Sequence, residues 1–468
     1  MRNTIKSIAI ALLASVLLAA CGLKGAESFD VDLALDSEKL DLEGAKIKYV
    51  YALKSGRETI DSSLGYENGT LLGELAMKRL KDIQNNLNCT LDIEYMITSV
   101  ADPMFIASSA SGTYMCDVMV GISDMLRAPA KIGMLIGMTE LEDYIDFRNE
   151  EKWGRRNILE VIYWQDDCYG LIPLMWPSVS VSYDTLPVVN EDLISSLGVS
   201  DPRDLYENKQ WTWETFRGCL EKYYSAEGSE VKNYSLTCST HGLGTLYLIS
   251  NGYRLAEPDK NGNIISGLYN PKTLVSMEEA NYIYSGPLSY TVDTESNVLD
   301  SFLAGNTVIG VIGSENVINR VAKEMTNFGL VPWPSGPDVE PGFMAACHAN
   351  IERCLVFSRL SHCPEQTAAA ISALYEPFEE YPTMASIKEF MSRNYFFDSR
   401  DTDVYFDLYW NSQYTYFATA SWAALGEWLQ ANKSPSEYIE SVRNPIDKHV
   451  EENIAPSKRG IFAVWGEE

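Results

Sequence analysis

The residues whose types and spacing could do chemistry are few. The sharpest group is Cys347, His348, Cys354, His362 and Cys363, five metal-ligand types within 17 residues. Zinc would take four such groups tetrahedrally. The spacing lacks the paired Cys or paired His units of a zinc site, and strand alternation would send Cys347 and His348 to opposite faces. Buried thiols beside a surface histidine fit these residues better, so no metal and no cofactor is expected. Asp259, Asn261 and Asn263 invite a calcium loop. Such a loop wants Gly sixth and Glu twelfth, where this chain has Gly262 fourth and Asn270 twelfth. A hairpin turn is expected there. The chain has no phosphate loop, dinucleotide fingerprint, nucleophile elbow or zinc-protease helix. Its 65 acids still leave room for a carboxylate pair that hydrolyses glycans. The 10 Trp and 27 Tyr point elsewhere. Flat apolar rings with polar neighbours suit ligands with apolar faces and many hydroxyls, such as sugars. Trp176, Trp333 and Trp410 fall in segments that could face a cleft, with core packing as the competing role for each.

The elements that must position these groups follow an α/β rhythm. Residues 46–53 (KIKYVYAL) read as a strand, 71–83 as a helix with Leu72, Leu75, Leu80 and Ile83 on one face, and 89–96 as a second strand. A loop with Gly112 leads to a short apolar strand at 116–122. Alternating strands and helices imply a largely parallel sheet, which binds ligands at the carboxyl ends of its strands. Lys54, Gly121, Ser123 and Asp124 would sit there. Residues 169–183 read as an extended crossing segment and 184–210 as loop-rich. Thr212 is the expected N-cap of a helix opening at Trp213. Further strands are expected near 233, 308–312, 328 and 350–358, helices at 271–284 and 364–375, and mainly helix from 378 to about 450.

Composition narrows the function classes. The full chain carries 37 Lys+Arg against 65 Asp+Glu, a net charge of −28. A surface this acidic repels phosphate backbones, which excludes nucleic-acid binding. Arg2 and Lys6 precede an uncharged run over 7–20, too short to span a bilayer that takes about 20 apolar residues. Leu18-Ala19-Ala20-Cys21-Gly22 resembles the lipobox of bacterial lipoproteins. That resemblance implies cleavage before Cys21, acylation of its sulfur, and a position on the cell membrane facing the extracytoplasmic side. Residues 1–20 are then signal peptide and 21–44 an acidic tether. Eight further cysteines in an exported chain invite disulfides, but their apolar neighbours favour mostly buried thiols. At roughly 150 residues per domain the remainder makes two or three domains.

Several segments together resemble the extracellular solute-binding proteins of ABC importers, family 1, the group of maltose-binding protein. Ser111-Gly112-Thr113-Tyr114-Met115-Cys116-Asp117-Val118 is similar to the family's small-Gly-x-x-Pro-Asp-Val turn, with Cys116 in place of Pro. Tyr169-Gly170-Leu171-Ile172-Pro173, running on to Tyr183-Asp184, resembles its crossover. Trp211-Thr212-Trp213-Glu214-Thr215-Phe216, Lys260-Asn261-Gly262-Asn263, Phe302-Leu303-Ala304-Gly305-Asn306 and Val331-Pro332-Trp333-Pro334-Ser335-Gly336 follow in the family's order. The likeness covers roughly residues 45–450. It implies a two-lobed α/β fold of periplasmic-binding-protein type II, with a ligand cleft between lobes joined by crossing hinge strands. Lobe 1 would comprise 45–178 plus about 346–385, and lobe 2 would comprise 179–345 plus about 386–468. By position, Lys54, Gly121, Ser123 and Asp124 would line one wall and Trp176 would lie near the crossover. Ser239, Thr240 and His241 would line the other wall, with Ser314 and Glu315. Phe343, Met344 and Trp410 are further cleft candidates. The aromatics that the family often places beside Gly121 and after Gly313 are missing here. The resemblance implies a monomer, without catalysis, that hands a carbohydrate to ABC permease subunits. The other readings are an exported glycan hydrolase, a receptor of the same fold for a peptide or other polar solute, and a sensing or adhesive surface protein.

Overall fold

The computed structural model describes residues 40–53, 64–159, 162–165, 167–177, 183, 185–227, 230–292, 294–348, 353–416, 425 and 427–458. Lys54 and Cys21 lie outside them. In chain order the elements that matter here begin with β1 (Ala45–Leu53), α1 (Leu71–Asn86), β2 (Cys89–Ile97), α2 (Thr98–Ser111), β3 (Val118–Ile122) and α3 (Ser123–Lys131). A second series runs β4 (Leu186–Asn190), β5 (Glu230–Ser239), α4 (Thr240–Ser250), β6 (Ser289–Val292), α5 (Glu295–Leu303), β7 (Thr307–Ile312) and β8 (Phe328–Leu330). The chain ends through β9 (Ala345–His348), β10 (Arg353–Phe357), α6 (Pro364–Leu374), α7 (Ser399–Asn411), β11 (Gln413–Tyr416) and α8 (Pro435–His449). Among the described residues no helix is long and apolar enough to cross a membrane.

Two mixed sheets organise these elements. The first has the order β10-β3-β1-β2. Its strands β1, β2 and β3 are parallel, with Ala45 opposite Cys89 and Tyr49 opposite Val118. β10 returns antiparallel against β3, with Arg353 opposite Ile122. The second sheet has the order β6-β5-β7-β4-β8. Here β6, β5 and β7 are parallel, while β4 runs antiparallel to both β7 and β8. All five residues of β4 and all six of β7 are buried. Near-continuous apolar runs of this kind mark strands covered on both faces.

Three passages link the sheets. The chain leaves the first sheet through 167–177, where Leu171 bridges to Leu355, and reaches β4 beyond Tyr183. It returns from β9 into β10, then goes back through α7 and β11, with β9 and β11 paired in parallel. The larger apolar core is shared across these passages. It joins Ile47 and Val118 of the first sheet to Leu186 and Ile312 of the second and to Tyr405 and Phe406 of α7. A separate core under the second sheet gathers Trp213, Leu243, Tyr247, Val308 and Trp428.

The Gly112 turn shows why that sequence pattern recurs where a helix feeds a strand. Gly112 takes φ 67° at the end of α2, a conformation that favours glycine. Asp117 then accepts from the Lys48 amide at 2.8 Å, the Tyr114 hydroxyl at 2.8 Å and the Ser361 hydroxyl at 2.8 Å. One carboxylate thus ties β1, β3 and the segment after β10.

Two expectations need correction. The stretch 184–210 is not loop-rich: it holds β4 and helices at Glu191–Leu197 and Pro202–Glu207. The polar residues that suggested loop are helix caps, since Asn190 accepts from the Leu193 amide and Asp201 from the Arg203 amide. The segment after 378 is helical but is interrupted by β11, whose partner β9 is distant in sequence. The turn at 259–263 is as expected. Asp259 Oδ1 accepts from the amides of Asn261 and Asn263, both at 2.8 Å, between short antiparallel strands.

The cysteines whose side chains are described also match the expectation of mostly buried thiols. Cys89, Cys116, Cys168, Cys219, Cys238 and Cys354 are buried free thiols, and Cys363 is a half-buried one. His362 lies against the Tyr114 ring, with centroids 4.6 Å apart, so it serves packing at the surface.

Candidate functional site

The parallel strands of each sheet end in turns that carry short polar side chains, of which Ser123, Thr240 and Ser314 are buried, and most of the sequence-derived candidates sit in these turns. In the first sheet, β3 runs through Gly121 into Ser123, the first residue of α3, with Asp124 next. A Cβ at Gly121 would lie 2.6 Å from Asp102 Oδ1 and 2.9 Å from Met119 Cε, so only glycine fits without displacement. Asp102, on α2, is 1% exposed. One of its oxygens accepts from the Ile122 amide at 3.4 Å, and the other is buried with no hydrogen-bond partner. Burial pushes its carboxyl up to about 6, against the pull of the Ile122 amide. The Ser123 hydroxyl is likewise buried without a partner. At the same end, the Arg353 guanidinium donates to the Tyr51 hydroxyl at 3.2 Å and stands 5.6 Å over its ring.

In the second sheet, β5 ends at Ser239, whose hydroxyl accepts from the Gly242 amide at 2.9 Å and caps α4. Thr240 and His241 form the first turn of that helix. The Thr240 hydroxyl meets the Gln430 amide group at 3.4 Å, and His241 is half-buried. β7 ends at Ile312, followed by Gly313, Ser314 and the half-buried Glu315. Ser314 is fully used. Its amide donates to the Tyr183 carbonyl at 2.8 Å, and its hydroxyl accepts from the Tyr183 amide at 2.9 Å. That reciprocal pair fastens the first crossing segment to the end of β7.

The aromatic and apolar candidates behave differently. Trp176 does not offer its ring to a ligand. It is 5% exposed, stacks on Phe406 at 5.2 Å, meets Tyr409 edge-on and donates its indole N–H to the Glu151 carbonyl at 3.0 Å. Trp333 is buried between Phe216 and Tyr247. Met344 is buried with its sulfur 3.1 Å from the Tyr206 hydroxyl. Phe343, beside it, is half-buried in a turn closed by its amide to the Glu340 carbonyl. Trp410 is half-buried against Tyr409, with centroids 4.5 Å apart.

The structure therefore gathers Gly121, Ser123 and Asp124 at one sheet's carboxyl edge and Ser239, Thr240, His241, Ser314 and Glu315 at the other's. Asp102 and Arg353 join the first group, and sequence reasoning missed both. Asp102 carried a signal, an acid inside the otherwise apolar and small stretch before Pro103. Arg353 carried none, because only the antiparallel return of β10 brings it to the end of β3.

Among the described residues, the carboxylates close enough to share an ion are Glu191, Asp398 and Asp401. Arg203 already fills that position. It is buried and donates to Asp201, to both oxygens of Asp401 at 3.2 and 3.3 Å, and to Glu191. The cluster is an ion-pair hub between α7 and the second sheet, because Asp401 also accepts from the Leu330 amide at 2.7 Å.

No protein-family model and no curated relative matches the chain. Solved structures do. The cyclic alpha-maltosyl-1,6-maltose binding protein from Arthrobacter globiformis superposes with a TM-score of 0.63 at 12% identity, over 88% of this chain and 100% of that one. The sugar-binding protein MalE from Xanthomonas citri gives 0.62 at 14%, over 90% and 99%. The ABC substrate-binding protein Lmo0181 from Listeria monocytogenes, solved with cycloalternan, gives 0.58 at 10%, over 87% and 100%. Identities this low speak for architecture alone, and on that architecture they agree: the chain has the two-lobed type II fold of periplasmic binding proteins.

Proposed function

We propose that this protein captures a neutral carbohydrate between its two lobes and alters no covalent bond in it. The observation that carries this reading is the pair of strand-end sets, one on each sheet, rich in short hydroxyl and carboxyl side chains and joined by three crossing passages. A solute touching both sets binds the closed arrangement better than the open one, and that difference in affinity drives closure. Short hydroxyls, a histidine and carboxylates are hydrogen-bonding partners for sugar hydroxyls, while the acidic chain disfavours anionic ligands. Of the fold's neighbours named above, one is named for binding cyclic alpha-maltosyl-1,6-maltose, one for binding sugar, and one was solved with cycloalternan, which supports the ligand class. Lobe 1 comprises 45–178 plus about 346–385, and lobe 2 the intervening and final segments. Cys21 carries the lipid, residues 22–44 tether the lobes outside the cytoplasmic membrane, and ABC permease subunits receive the solute.

A melting-temperature screen against mono- and oligosaccharides, with chromatography of the sugar afterwards, tests the reading. A ligand at about 100 times its Kd adds roughly 2.7 kcal/mol of stability. One saccharide class that raises the melting temperature and is recovered intact supports capture. A hydrolysed sugar, or stabilisation by peptides alone, rejects it.

A further inference from the structure

A second concave site lies on the flank of the second sheet, between its edge strand β6 and helix α5. The cavity holds about 370 Å³, within the span of about 300–1,000 Å³ typical of small-molecule sites. Its aromatic wall is Tyr234 of β5 and Tyr290 of β6. Their rings stack with centroids 4.5 Å apart and planes 21° from parallel. Tyr290 is 42% exposed, so a large ring is braced by a neighbour yet left open on the surface. Asn297, Asp300 and Ser301 form the facing wall, spaced i, i+3 and i+4 on one side of α5. Ser301 also meets the Thr307 hydroxyl at 3.1 Å. Asn306 lines the cavity beside Tyr234, and its side-chain carbonyl oxygen is buried with no hydrogen-bond partner. A buried acceptor left unpaired is unfavourable, and a donor brought by a ligand relieves it.

We propose that this cavity is a second carbohydrate subsite, where a neutral sugar ring lies on Tyr290 and its hydroxyls bond to Asn297, Asp300 and Asn306. Aromatic planes beside side chains that accept and donate hydrogen bonds match a pyranose, which has apolar faces and polar edges. The ligand class follows from these walls and not from the strand-end site. The two sites are neighbours. Val292, at one end of the cavity, pairs with Ser239, while Tyr234 lies five residues back along β5, about 16 Å away. A glycan held on the flank leaves the strand-end turns free, so its far end is presented to them at raised effective concentration.

The full chain labelled with fluorotyrosine, titrated with maltose and with maltotriose and followed by fluorine NMR, tests this. The Tyr290 resonance, assigned through Tyr290→Phe, should shift saturably in the millimolar range. Asn306→Ala should raise the midpoint about tenfold, the loss expected for one well-placed hydrogen bond. Tyr290→Ala, at an exposed ring, serves as a second variant read at Tyr234 if Asn306→Ala does not fold. His241→Ala, in the strand-end site, should leave the Tyr290 shift in place. No saturable shift, a midpoint unmoved by the flank variants, or a shift lost with His241→Ala overturns the subsite. A Tyr290 shift in a protein that never closes on the sugar rejects the capture reading alone. Closure without the shift rejects the subsite alone.

Discussion

Asp102 and Arg203 are two buried charged groups with opposite circumstances. Arg203 is surrounded by carboxylates, whereas Asp102 has one weak amide contact and an empty oxygen. Because burial raises the Asp102 carboxyl to about 6 from an ordinary value near 3.9, the folded state binds its proton more tightly than the unfolded state. Its contribution to stability is therefore complete below pH about 4 and is lost as pH rises through about 6. Asp102→Asn should remove that loss, gaining on the order of 2 kcal/mol over the native chain at pH 7 relative to pH 4. Urea midpoints at the two pH values check this, and an unchanged difference would contradict it. Arg203→Met should cost about 3–5 kcal/mol, because Asp401, Asp201 and Glu191 would be left without their shared cation. Thermal unfolding of the variant measures that loss. At this scale the sequence was readable wherever a residue's role is local. Asp259, which holds its own turn, is such a residue, whereas the cap that Ser239 supplies to its helix was not read. Trp176 was misjudged because Phe406 and Tyr409, the rings that bury it, arrive from α7, far along the chain.

Elements were legible in proportion to how far their own pattern defines them. β1 announces itself by polar–apolar alternation that ends in an apolar run and β7 by its apolar residues, and Thr212, capping the helix that starts at Trp213, is visible from spacing alone. β4 is hidden by Pro187 and its flanking caps, because its burial comes from β7 and β8 on either side. β11 exists only through its pairing with β9. The link between elements that matters most for closure is Ser314 with Tyr183, where the end of β7 holds the first crossing segment. Ser314→Ala removes the acceptor of the Tyr183 amide and should cost about 1 kcal/mol. Hydrogen exchange should quicken at the Tyr183 amide and remain unchanged in β1. Equal protection in both proteins would show that the hydroxyl does not hold the passage.

At the scale of the whole molecule, the α/β rhythm and the order of short motifs anticipated two lobes, while nothing local in the sequence specifies the core that runs beneath the crossings. Tyr405 and Phe406 there pack with residues of both sheets, so bending at the passages must pivot around an apolar centre. The proposed anchor belongs to this scale too. Cys21→Ser should move the protein from the membrane fraction to the soluble fraction, because the proposed acyl chains are what hold it at the membrane. Fractionation of cells that make either form checks this, and a variant still held by the membrane would contradict acylation at that sulfur. Capture by closure is the claim on which the rest depends. Small-angle scattering, recorded with and without the saccharide that most raises the melting temperature, tests it most directly. Closure on the sugar gives a smaller radius of gyration at unchanged mass, with the sugar recovered whole. An identical profile under saturating sugar, or cleavage of that sugar, would contradict it.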